Sequence, residues 1–341
     1  MSNFLCEFTE KTVKKYIGSN QWQDCTLSDN YMYLEYHDEG GYGTIHKVLD
    51  KATGEHLIMK QSSKKDFVPG KLADQGTPIG FADSKAEDLE SASPKVSREA
   101  EYLVVVHNEL NGLRLHAYYD LDDSYILVME DGGRSLEDLA CSHKKKILNL
   151  LRYDAYKNNL FFNRYLKQIA NYMIQIYHKV RKIHNLGIHH NDLKPENILI
   201  RPLESRNEID VLVIDFGVAK PVEPIYTNFK GTLEYVPYEY VKNGSYKPWD
   251  HTIWCFGVML HFLTLMTYPF VKENDVLCYS LSRERVDKLP KPFATLIYDC
   301  LAKNPSKRPH NLLERLTELG RSAPYQIPSG SGARCPKGNG L

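Results

Sequence analysis

The stretch "GIHHNDLKPENILI" (Gly187 to Ile200) carries Asp192, Lys194 and Asn197 within six positions. A long 3.6-period segment, "FNRYLKQIANYMIQIYHKVRKIHNLG", precedes it, with Leu166, Ile169, Met173 and Ile176 on one face. Gly187 closes that helix and "NILI" reads as a strand, so the polar residues between them lie on a loop. On such a loop Asp192 can accept a proton from a hydroxyl and Lys194 can neutralise a transferring phosphoryl group. Asn197 can offer an amide oxygen to Mg²⁺. Downstream, "VIDFG" (213–217) places Asp215 at the end of an apolar strand, a second hard oxygen donor suited to the same ion. Phosphoryl transfer from a nucleotide uses these parts together.

The chain has 341 residues, 42% of them hydrophobic, enough for one large two-lobed unit. Its 43 basic and 43 acidic residues balance to zero formal charge, so net charge suggests no polyanionic partner and no direct nucleic-acid binding. The seven cysteines are an odd, scattered set without a CxxC pair, the pattern of a reducing compartment. The N-terminal stretch "MSNFLCEFTEKTVKK" has charges where a signal peptide needs an apolar run. The most apolar stretch, "IWCFGVMLHFLTLMTY" (253–268), is interrupted by His261 and Thr264 and falls short of the ~20 residues of a membrane span. It reads as a buried central helix. An intracellular protein, cytoplasmic or nuclear and without a membrane anchor, is expected.

The first third alternates polar and apolar residues in "NYMYLEYHDEG", "GTIHKVLD" and, past a turn at Thr53-Gly54, "HLIMKQ". These predict a β-meander. Residues 61–96 lose the rhythm to Gly, Pro and polar residues and are expected to form a surface insertion. The organisation expected is an N-terminal extension (1–32), a small β-rich lobe (33–131, with the insertion), a larger helical lobe (132–320) and a disordered tail (321–341).

In this order and spacing the motifs closely resemble the eukaryotic-type serine/threonine protein kinases, over about Tyr33 to Leu319. Their catalytic loop runs H-R-D-L-K-x-x-N and their metal loop D-F-G. The resemblance implies an α+β two-lobed protein-kinase-like fold, ATP and Mg²⁺ as cofactors, and protein substrates with Ser or Thr acceptors. It makes Asp192, Lys194, Lys60 and Thr232 the catalytic set and Asn197 and Asp215 the metal ligands. "DEGGYGTI" is similar to the phosphate-covering loop, with Gly40, Gly43 and Ile45 at motif positions and Asp38 where the first glycine stands. "LIMK" matches V-A-I-K, making Lys60 the phosphate-gripping lysine and Ile58 a wall of the adenine slot. Glu99 is the expected carboxylate partner of Lys60, with Glu101 as the alternative. In "LVMEDGG", Met129 is the gatekeeper, Glu130 and Gly132 offer backbone groups to adenine, and Leu199 is expected beneath it.

"FKGTLEYVPYE" resembles the peptide-receiving segment, with Glu239 matching a Glu whose implied partner is Arg308 in "NPSKRP". Thr252 stands where the resembled family has an anchoring Asp, Pro237-Tyr238 replace Ala-Pro, and Asn191 replaces the arginine beside the catalytic Asp. These departures motivate one alternative, a pseudokinase acting as a nucleotide-binding or protein-interaction scaffold. A small-molecule phosphotransferase is a third reading, disfavoured by the peptide-receiving segment. The pairing of H-N-D with "GTLEY" is similar to kinases of large insect DNA viruses.

Overall fold

The computed structural model describes residues 12–18, 21–40, 43–66, 96–156, 159–203 and 208–322. The meander is present as β3 (Tyr31–Gly40), β4 (Gly43–Asp50) and β5 (His56–Ser63), paired antiparallel in succession. Most of the expected insertion, the part after Asp66 and before Val96, lies outside the described residues. Its start is later than position 61, because β5 continues to Ser63 in register with β7 (Ser124–Glu130). The expected tail, past Ser322, also lies outside them.

The boundary expected at Tyr33 gives way in the structure. β1 (Val13–Gly18) and β2 (Gln21–Cys25) form a hairpin whose first strand pairs with β6 (Leu115–Asp120). The result is a seven-stranded sheet in the order β2-β1-β6-β7-β5-β4-β3. Leu27, in the short helix α1 (Leu27–Asn30), joins Val13, Val48, Leu57, Met59 and Ile126 in a core on one face of that sheet. Residues 13–30 therefore belong to the small lobe.

On the other face packs α2 (Arg98–Leu110), N-capped by the Ser97 hydroxyl, which accepts from the Ala100 N–H. Its buried stripe runs through Ala100, Leu103 and Val106, and Glu99 and Glu101 are buried with it.

The larger lobe is built on helices. α3 (Leu136–Arg152) and α4 (Leu160–Asn185) each present one apolar face, and Leu166, Ile169, Met173 and Ile176 of α4 are all fully buried. After α4 the chain turns at Gly187, whose φ of +79° suits glycine. It then runs through β9 (Ile188–His189) into the loop and on to β10 (Ile198–Leu203), which pairs antiparallel with β11 (Glu208–Val213) and with the short β8 (Arg134–Ser135).

Further on, after α5 (Tyr238–Asn243), stands α6 (Pro248–Leu265), buried from His251 to its end. Pro248 occupies its first turn, where a missing N–H costs nothing. Gly257 lets α9 approach (Lys291–Cys300; α7 is Glu273–Cys278 and α8 Arg283–Val286): a Cβ there would sit 2.7 Å from Cys300 Cβ. Each fully buried Leu or Phe on such a helix contributes about 1.5–3 kcal/mol. α6 is the platform on which the loop carrying Asp192 rests.

Among the described residues, no helix is long and apolar enough to cross a membrane.

Candidate active site

The loop after β9 is held in an unusual backbone shape. Asn191 has φ +64° and Asp215, on the segment facing it, also has φ +64°. Asn and Asp tolerate this left-handed region better than other non-glycine residues. His190 fixes the two segments to each other. Its Nε2–H donates to the Ile214 carbonyl (2.8 Å), while Nδ1 accepts the Asp192 N–H (3.3 Å). Burial keeps this imidazole's pKa below the usual histidine range, consistent with a neutral ring protonated on Nε2.

Asp192 is buried and its carboxylate is bonded on both oxygens. Oδ1 accepts the Thr232 N–H at 2.7 Å; Oδ2 accepts from Asn197 Nδ2 at 3.2 Å and lies 3.2 Å from Lys194 Nζ. Lys194 also donates to Thr232 Oγ1 at 2.8 Å. Asp192, Lys194 and Thr232, 40 residues apart at the extremes, thus form one closed cluster. Asn197 further donates to the Asp192 carbonyl at 2.8 Å, which commits its amide nitrogen and leaves its oxygen for a cation.

Lys60, on β5, meets two carboxylates. Its Nζ lies 2.6 Å from Glu99 Oε1 and 2.6 Å from Asp215 Oδ1. Of the two glutamates considered on α2, Glu99 is the one that makes this bond, and Tyr125 holds its other oxygen at 2.8 Å. Burial would strip the proton from Lys60, but Asp215 and Glu99 outweigh it and hold the ammonium's pKa above its ordinary value. Burial likewise opposes charge on Asp215, and Lys60 overcomes it, holding that carboxyl below its usual range.

The remaining candidates lie on β3, β4, β5, β7, the segment after β7, and β10. Ile58 and Met129 face each other in register on β5 and β7, and Ile45 is paired with Lys60. Gly132 packs so closely that a Cβ there would meet Leu199 Cδ1 at 2.5 Å, which places the segment after β7 directly beside Leu199. Glu130 spends its backbone N–H on the Arg114 carbonyl and its carboxylate on Arg201 (3.2 Å), so of its backbone groups only the carbonyl can face a base. Gly40 and Gly43 end β3 and β4 as a register pair. The Asp38 backbone pairs with Ile45, while its side chain lies outside the described residues.

The donor chemistry fits a magnesium–nucleotide. Asp215 and Asn197 supply hard oxygens, few in number as Mg²⁺ prefers when phosphates and water complete its shell. Lys60 supplies a fixed cation beside them.

Sequence reasoning gave no role to two residues around this centre, Tyr246 and Gly231. Tyr246 donates to Asn191 Oδ1 at 2.6 Å, and Gly231 packs so near the loop that a Cβ would sit 2.5 Å from the Asn191 carbonyl oxygen. Thr252 does not stand in for a carboxylate: its hydroxyl donates to Pro248 O on its own helix at 3.1 Å. The Glu239–Arg308 pair is present and two-pronged, with NH1 2.8 Å from Oε1 and NH2 2.5 Å from Oε2.

Comparison with known proteins agrees with this geometry. The family model described as "Protein kinase domain" matches residues 37–317. A protein of Invertebrate iridescent virus 3, provisionally named a serine/threonine-protein kinase, is 50% identical over 94% of this chain and 96% of its own length. The serine/threonine-protein kinase pim-2 of Danio rerio is 32% identical over 79% of this chain and 78% of its own. Death-associated protein kinase dapk-1 of Caenorhabditis elegans is 25% identical over 86% of this chain, which spans 18% of that longer protein. The pseudokinase alternative is not favoured by these matches. With a family model covering most of its length and a viral relative matching it nearly end to end, the chain belongs to the protein kinase family, eukaryotic type.

Proposed function

We propose that the protein transfers the γ-phosphate of ATP to serine and threonine hydroxyls of protein substrates. The observation that carries this reading is the closed cluster of Asp192, Lys194 and Thr232. It joins a candidate base, a candidate phosphate-neutralising cation and the segment that resembles a peptide-receiving surface.

In this reading Asp192 Oδ2 accepts the proton of the acceptor hydroxyl as that oxygen forms its bond to the γ-phosphorus and ADP leaves. Lys194 lies beside the carboxylate and offsets charge on the transferring group. Thr232, through its N–H, keeps the Asp192 carboxylate oriented. Lys60, aimed by Glu99, holds the α- and β-phosphates, and Asp215 and Asn197 hold Mg²⁺, which neutralises phosphate charge when bound. Ile45, Ile58, Met129 and Leu199 enclose the adenine, with the Glu130 carbonyl and Gly132 facing its edge, and Gly40 and Gly43 let the β3–β4 hairpin lie over the phosphates. Catalysis by such a site is positioning plus electrostatics, and both depend on the bonds described.

A lysine two residues after the aspartate, followed by Pro195-Glu196-Asn197, is the serine/threonine form of the motif. Two of the relatives named above, those of Invertebrate iridescent virus 3 and Danio rerio, carry that specificity in their names. Free cysteines at 25, 141, 255, 278 and 300 support action in a reducing interior, the cytoplasm or nucleus. The test is incubation with γ-labelled ATP, Mg²⁺ and a mixed peptide library. Label on Ser- and Thr-containing peptides supports the reading; label on tyrosine alone, or on none, overturns it.

A further inference from the structure

The loop bearing Asp192 lacks two fasteners that its sequence context leads one to look for. Asn191 carries no charge, and Thr252 turns its hydroxyl onto Pro248 of its own helix. Something else must hold an Asn at φ +64° in place. The Asn191 side chain bridges two segments distant in sequence: Nδ2 contacts the Val218 carbonyl at 3.4 Å, and Oδ1 accepts the Tyr246 hydroxyl at 2.6 Å. Asn191 is 1% exposed and Tyr246 2% exposed, so water does not compete for the shorter bond.

Tyr246 is itself anchored. Its backbone forms both hydrogen bonds of an isolated antiparallel bridge with Tyr226, at 2.8 and 3.0 Å. Its ring is packed among Phe229, Tyr240 and His251. The hydroxyl is thus presented by a rigid surround, and Asn191 is the nearer of its two acceptors, the Asn228 carbonyl lying at 3.4 Å.

We infer that Tyr246 is a positioning residue for the reaction, its hydroxyl holding Asn191 and thereby the Asp192 carboxylate that follows it in the chain. The inference rests on the role proposed for Asp192. This neutral, buried tie does for the loop what a charged pair to a phosphate does where an arginine precedes the aspartate. It is present without any modification of the chain.

Tyr246→Phe keeps the ring and removes only the hydroxyl; Asn191→Gly can adopt the same positive φ and removes the whole side chain, amide included. Tyr246→Phe lowers kcat about tenfold, the worth of one buried hydrogen bond, and leaves KM for ATP unchanged. In the Asn191→Gly background the same change has no further effect on kcat, because the acceptor is already gone. Equal losses in both backgrounds would assign the hydroxyl to Asn228 or to general packing and overturn the inference. Hydrogen exchange at the amides of residues 188–197 reads the tie without turnover: Tyr246→Phe accelerates it, and unchanged exchange overturns the inference too. A wild-type protein with no phosphotransfer but with exchange sensitive to Tyr246 would refute the catalytic reading alone.

Discussion

Asp215 reaches the ammonium of Lys60, Oδ1 to Nζ at 2.6 Å, and so shares with Glu99 the one lysine that both carboxylates need. In the proposed function, that shared arrangement must accommodate phosphate when a magnesium–nucleotide binds. Asp215→Asn keeps the shape and removes the charge. We expect it to abolish the Mg²⁺-dependent part of nucleotide binding, while Mg·ATP at 100 times its Kd stabilises the wild-type protein by about 2.7 kcal/mol. Thermal melting with ATP, with and without Mg²⁺, checks this; an Asn variant stabilised by Mg·ATP as well as wild type would contradict the metal assignment.

Arg308 is fully buried against Glu239, and it also donates to the Asp250 and Ala302 carbonyls. Arg308→Met leaves the Glu239 carboxylate buried without its cation. Removing one partner of such a pair costs roughly 3–5 kcal/mol. Urea unfolding of the two proteins measures it, and a loss under about 1 kcal/mol, the level of an exposed pair, would show that the contact is not a structural tie.

Glu196 gives a pH-dependent prediction. One carboxylate oxygen, Oε2, is buried without a hydrogen-bond partner among the described residues, and the other accepts from the Tyr268 hydroxyl at 3.4 Å. Burial raises its pKa above the usual range, opposed by its own backbone N–H and by Lys194 and helped by Glu137. An acid whose folded pKa is raised binds more protons folded than unfolded, so its contribution to stability falls as pH rises through that window. Glu196→Gln should therefore raise the melting temperature at pH 8, with the gain disappearing at pH 4. A variant less stable than wild type at pH 8 would contradict this.

The segment between Asp215 and Glu239 is expected to work unmodified. Tyr226 is buried, its hydroxyl donates to the Pro221 carbonyl, and its ring stacks on His189. Lys220, a cation that could receive a phosphate, instead donates to the Asn228 carbonyl at 2.7 Å. Replacing Tyr226 by Phe and Thr227 by Ala should leave kcat within about threefold, because the one neutral hydrogen bond lost, to Pro221, touches neither Asp192 nor its partners. A collapse of activity that Glu at position 227 restores would reveal a phosphate-dependent switch.

The catalytic loop and the apolar strand leading to Asp215 are legible in the sequence because each is a contiguous motif with a fixed order of side chains. Glu99 is legible only through the resemblance, which puts the pairing Glu four residues before an apolar one, here Leu103; spacing alone leaves Glu101 open, and α2 buries both glutamates. The hairpin β1–β2 is not. Its strands, "VKKYIG" and "QWQDC", lie at the sheet edge, where lysines such as Lys14, paired with Asp24 at 2.7 Å, replace the clean alternation of a half-buried strand. The Asn191–Tyr246 bond spans 55 residues, so no local spacing announces it. Thr252 marks a missing carboxylate in the sequence, but which groups hold the loop instead is decided by tertiary packing.

The most direct test of the account is the rate of phosphate transfer to a Ser/Thr peptide by wild type and by Asp192→Asn, with Mg·ATP affinity measured on both. The substitution preserves a side chain able to accept from Thr232 but removes the base. The account predicts turnover lowered by roughly 10²–10⁴-fold, the usual worth of a general base, with nucleotide binding retained. An Asp192→Asn protein that phosphorylates the peptide at the wild-type rate would contradict it.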